Sequence, residues 1–110
     1  MAYTRTLTWT RPNTGVELPK VSDAYSDVDT MRRTKWAEAG ITKTYTWDED
    51  ELVLVIDIEA DSKAEVDAVV TDLDTIPDYT ASKDYVVAEC IARGITGILT
   101  DSDGDSSVIC

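Results

Sequence analysis

The sequence predicts an α+β domain in the order strand, helix, strand, strand, helix, strand, with a four-stranded antiparallel sheet and helices on one face. Three observations carry this. Glu51 to Ala60 has Leu52, Leu54, Ile56 and Ile58 on one parity, while Val53 and Val55 open a second face that ends in Asp57 and Glu59. Such a run belongs to a strand covered on both sides. Threonine alternates with larger residues in residues 3–11 and 41–47, which is the strand period. Apolar residues at helical spacing fill the intervals between these strands.

The first strand, Tyr3 to Arg11, sets Thr4, Thr6, Thr8 and Thr10 against Leu7 and Trp9. Pro12-Asn13-Thr14-Gly15 has turn chemistry, and Pro19 ends the extended segment after it. A helix follows, with Ser22 or Ser26 as its cap, acids in its first turn, Arg32, Arg33 and Lys35 near its negative end, and Gly40 as its stop. Tyr25, Val28, Met31 and Trp36 form its apolar stripe.

Ile41 to Trp47 repeats the threonine alternation with Thr42, Thr44 and Thr46. The acids at 48–51 form a solvated hairpin tip leading to the central strand. Ser62 and Glu65 have capping-box spacing, and Val66, Val69, Val70, Leu73 and Ile76 are the cleanest amphipathic stripe of the chain. Pro77 splits this second helix. A further helical piece runs from about Ser82 to Arg93 and ends at Gly94; its Ala and Glu content favours helix over a strand at 85–92. Ile95 to Thr100 is the last strand, and residues 101–110 read as a polar, acidic tail.

A chain of 110 residues with 43% hydrophobic content makes one domain, 1–110. Its net charge is −12, divided into +2 over residues 1–47 and −14 over residues 48–110. That balance repels phosphate, so nucleic acid and anionic membranes are excluded as partners. No signal-peptide core and no run of about 18 apolar residues is present, which implies a soluble protein, cytoplasmic or virion-associated.

Histidine is absent, which removes His-dependent nucleophilic and metal sites. No cofactor motif appears, and the five glycines are scattered. Asp101-Ser102-Asp103-Gly104-Asp105 matches a calcium loop poorly, with its glycine early and the final Glu missing. Arg32, Arg33 and Lys35 are the only basic cluster, with the helix end as their role and anion binding as an alternative. Cys90 reads as a small core residue.

Two constellations remain. A threonine-rich second face, comprising Thr4, Thr6, Thr8, Thr42, Thr44, Thr46, Val53 and Val55, suits a homodimer contact in which two sheets pack together. A pocket between sheet and helices would be lined by Trp9, Trp36, Tyr45 and Trp47; Asp57, on the second face, is grouped with these candidates as a base in a cavity between two packed sheets, if that carboxylate is buried rather than wet or paired with a Lys or Arg at the strand end.

Two βαβ halves sharing one sheet make the ferredoxin-like arrangement. Strand order, length and the two-faced central strand resemble the dimeric ferredoxin-like (α+β barrel) superfamily, which contains small monooxygenases and stress-responsive barrel proteins. Missing histidines separate this chain from many enzymes of that group. The opening Thr4-Arg5-Thr6-Leu7-Thr8-Trp9-Thr10-Arg11-Pro12-Asn13-Thr14, with Ala39-Gly40-Ile41-Thr42 and Gly94-Ile95-Thr96, is also similar to small marine bacteriophage proteins. The leading functional expectation is a dimeric structural or interaction protein without enzymatic activity. The alternative is a small-ligand-binding or enzymatic α+β barrel.

Overall fold

Alternation in β1 (Tyr3–Thr10), β2 (Thr42–Trp47) and β3 (Val53–Ala60) gives each strand one bulky and one threonine- or valine-bearing side. The computed structural model, which describes residues 3–110, joins them with β4 (Thr96–Asp101) and β5 (Ser106–Val108) into a single antiparallel sheet ordered β2-β3-β1-β4-β5. Among the described residues there are therefore five strands rather than four. Residues 101–110, expected as a tail, turn back so that Val108 pairs with Ile98 and Ser106 with Thr100. The sheet is open, ending at β2 and β5, and the chain does not close a barrel by itself.

Register decides which residues share a face. Leu7 lies opposite both Ile56 and Leu99, and Tyr45 lies opposite Ile56 from the other side. The bulky parities of all the long strands thus point to one side, where α1 (Ser26–Glu38), α2 (Lys63–Asp74) and α3 (Pro77–Arg93) pack. The core between the layers contains Tyr3, Trp36, Ile41, Ile58, Ala60, Val66, Val69 and Leu73. Val66 and Leu73 are completely buried, as the spacing of the α2 stripe requires.

Local chemistry sets the helix ends. Ser62 Oγ accepts the Glu65 amide at 3.3 Å, while the Glu65 carboxylate reaches back to the Asp61 amide at 3.1 Å. This is the expected box, displaced by one residue. Ile76 is extended, at φ −99° and ψ 113°, because the proline ring disfavours helix in the preceding residue. Pro77 then opens α3 instead of merely ending α2, since the first helical amide needs no partner. Neither serine caps α1: Ser26 is its first residue, and Tyr25 holds the cap position without a side-chain bond. Gly94 ends α3 in the left-handed region, at φ 71°.

The hairpin tip is built rather than simply solvated. Asp48 Oδ1 accepts the amides of Leu52 and Val53 at 2.8 and 3.1 Å, and Glu51 is held at φ 58°. The Asp101–Asp105 segment is likewise a turn: Asp101 is buried, and its Oδ1 accepts the amides of Asp103 and Asp105. Its alternating acids serve the β4–β5 reversal.

Gly97 fixes the approach of β1 to β4. A Cβ there would stand 2.5 Å from the Trp9 ring and 3.2 Å from Cys110 Sγ. Gly97→Ala is expected to destabilise the protein by about 1–3 kcal/mol through overpacking and to change Trp9 emission; unaltered denaturant midpoint and fluorescence would overturn this account.

Candidate functional site

The side chains of β1 on the helix-facing parity run Tyr3, Arg5, Leu7 and Trp9, and Arg11 continues the series just beyond the strand. Those of β3 and β2 add Leu54, Ile56, Tyr45 and Trp47. Helices cover the far part of this face but leave the Trp9 end to the 11–22 loop. Between sheet, loop, α1 and α3 lies a cleft of about 640 Å³. Leu7, Trp9, Leu54 and Ile56 lie on its sheet side, Val86 and Cys90 on its α3 side, and Leu18 to Ser22 on its outer side.

Arg11 holds this loop in place. One terminal guanidinium nitrogen donates to the Thr14 and Val16 carbonyls at 3.4 and 3.3 Å, and the other donates to the Glu51 carbonyl. The guanidinium also lies over the Trp47 ring, 4.8 Å from its centroid. Arg93 secures the loop from α3 by donating to the Glu17 carbonyl at 2.9 Å. Loop and hairpin tip are thus tied through a side chain that also walls the cleft.

Asp29, buried in the first turn of α1, pairs with Arg32 and with Arg33 Nε, the latter at 3.0 Å. Burial pushes the Asp29 carboxyl up, but the hydrogen bond and charge of Arg32, helped by Arg33, outweigh it and hold the group below its ordinary value. The two arginines therefore run back along α1 into the cleft wall instead of serving the helix end. Lys35 leaves the cluster to pair with Asp72 at 2.6 Å.

Three of the five predicted pocket residues, Trp9, Tyr45 and Trp47, line the cleft. Trp36 does not. It sits seven residues beyond Asp29, about 10 Å along the helix, and is 6% exposed in the core beside a smaller depression of about 190 Å³. Asp57 is also misplaced, because its odd parity in β3 turns it to the opposite face. There it lies across from Thr6 and Thr44 and accepts a 2.9 Å hydrogen bond from Thr6 Oγ1.

The eight residues of the predicted contact face do come together. Thr4, Thr6, Thr8, Thr42, Thr44, Thr46, Val53 and Val55 occupy the helix-free side of β1, β2 and β3, which β4 and β5 extend with Ile98 and Val108. Sequence reading missed Arg11 and the 11–22 loop as cleft walls. The parity of β1 contained the signal, since Arg11 is two residues beyond Trp9. Cys90 is buried as expected, and its thiol is pushed up to about 12, chiefly by burial and secondarily by the neighbouring Cys110.

No protein family, curated protein or solved structure matches the chain. Among the described residues, no helix is long and apolar enough to cross a membrane.

Lys43, on the helix-facing side of β2, lies 4.8 Å from the Trp36 ring centroid. Burial, then the charges of Arg32 and Arg33, lower its ammonium to about 8. Between that value and the unfolded value of about 10.4, the unfolded chain binds a proton that the folded chain has released, so stability rises with pH. Relative to Lys43→Met, wild type is expected to gain melting temperature between pH of about 8 and 10, the raised Cys90 thiol acting alike in both proteins. Parallel profiles for the two proteins would show that Lys43 is not the titrating group.

Proposed function

We propose that this protein is a small-molecule-binding module whose site is the cleft beneath the 11–22 loop. One observation carries the reading: the cleft combines about 640 Å³ of space with an aromatic mouth where Tyr45 is 57% and Trp47 43% exposed. Pockets for small ligands occupy roughly 300–1,000 Å³ and are lined mainly by apolar and aromatic groups with a few polar ones. Exposed aromatics beside such a hollow gain by stacking on a ligand.

The strand order β2-β3-β1-β4, with crossovers through α1 and through α2–α3, supports a ferredoxin-like core extended by β5. Helices cover one face of that core, and the loop after β1 covers the rest only loosely. Binding therefore belongs to the loosely covered end.

Isothermal titration with two naphthyl probes, anionic anilinonaphthalene sulfonate and neutral phenylnaphthylamine, tests the reading. At least one is expected to bind saturably at one site per chain, and Trp47→Ala to weaken it about tenfold, the loss of roughly 1.4 kcal/mol of aromatic contact. If neither probe binds, or if Trp47→Ala folds and binds equally well, the cleft is not the site.

A second reading, homodimerisation, rests on the helix-free face. Val53, Val55, Ile98 and Val108 form an apolar patch among threonines, while the acids Asp57 and Glu59 lie toward one end. Packing two such faces would cover the patch. Native mass spectrometry is expected to give a dimer that Val55→Lys converts to monomer; a wild-type monomer at tens of micromolar or above would remove this reading.

A further inference from the structure

The cleft is a positive site on a strongly negative protein. Its lining includes four cationic side chains, Arg11, Lys20, Arg32 and Arg33, against two acidic ones, Glu17 and Asp29, while the whole chain carries −12. Ion pairing sharpens the contrast. Seven of the ten basic residues pair with a carboxylate, although carboxylates outnumber them more than twofold. Among the described residues, the three that do not are Arg11, Lys20 and Lys43. Arg11 and Lys20 line the cleft, and Lys43 lines the adjoining depression.

Unfilled hydrogen-bonding capacity is found in the same place. Among the described residues, two buried side-chain nitrogens lack a partner, Arg11 Nε and Arg32 Nε, and both belong to cleft-lining side chains. A buried donor without an acceptor is unfavourable. Asp29 neutralises one of the two charges beside it, so the Arg32–Arg33 pair retains a net positive charge. With acids abundant elsewhere, unpaired cations gathered around one hollow are placed to meet a negative charge from outside the chain.

We infer that the cleft takes a small organic anion, with an aromatic or aliphatic body against Trp9, Leu54 and Trp47 and a carboxylate or sulfonate head toward Arg32, Arg33 and Lys20. This rests on the cleft being a binding site and adds the chemical class of its ligand. A low-dielectric wall strengthens attraction to the head, while the surrounding acidic surface disfavours anions everywhere else. A free anion without an apolar body would forgo contact with the indoles, so inorganic phosphate is expected to bind weakly.

The two naphthyl probes separate the alternatives, because their aromatic bodies are alike and only one has a sulfonate. At low salt the anion should bind about tenfold or more tighter than the neutral probe, as one charge-assisted hydrogen bond allows. Raising the salt should narrow the difference. Arg32→Gln should weaken the anion by about tenfold, whereas Lys20→Gln and Arg33→Gln, at exposed positions, should weaken it about two- to fivefold. In all three the ratio of anionic- to neutral-probe affinity should fall, with melting curves confirming that each is folded. Equal binding of both probes in wild type would overturn the anion assignment and leave the cleft as an apolar site. Binding of neither would overturn the cleft reading itself. Head-to-tail self-association displaced by the anionic probe would overturn the assignment in favour of a second copy's acidic surface.

Discussion

Threonine occupies one parity throughout β1 and β2, so the sheet has only one side on which apolar helices gain much by packing. The rest of the architecture depends on that constraint. All three helices lie on the same side, the core forms between them and the alternate parity of β3, and the threonine side remains uncovered. One-sided burial also explains why the cleft opens where it does. Where α1 and α2 stop covering the sheet, Trp9, Tyr45 and Trp47 still project from the apolar parity, and a loop is all that shields them.

The cover of the cleft is fastened through backbone carbonyls as well as through the half-buried Leu18, Pro19 and Val21. Arg11 joins the loop, the hairpin tip and the Trp47 ring, and Arg93 secures the loop from α3. These guanidinium clamps also bring positive charge to the wall. Asp29 has a related double effect: it fixes two arginines along α1 and leaves one of their charges uncompensated.

Much of the fold was legible because it depends on period. Alternation located β1, β2 and β3, and the Val66–Leu73 stripe located α2. Proline chemistry located the break before α3. Strand β5 was not legible, since Ser106-Ser107-Val108 has no pattern of its own and forms by pairing with β4. Of the candidate pocket, residues whose parity alone decides their side were found. Trp36 failed because position along α1 separates it from the cleft, a distance that a count of aromatics does not contain. Asp57 failed because parity was set aside in grouping it with the tryptophans. The roles of Asp48 and Asp101 as acceptors for turn amides depend on loop geometry, which composition does not encode.

Strand β2 forms one border of the sheet, and its outer row of amides and carbonyls is a template on which another extended chain could add. Lys43 is the second residue of that border strand and points inward over Trp36. An incoming strand would have to enclose an ammonium that already resists burial, so the side chain that weakens the fold also guards it against edge-to-edge growth. At the opposite border the protection is brevity: β5 spans three residues, too few to seed a continuing ladder.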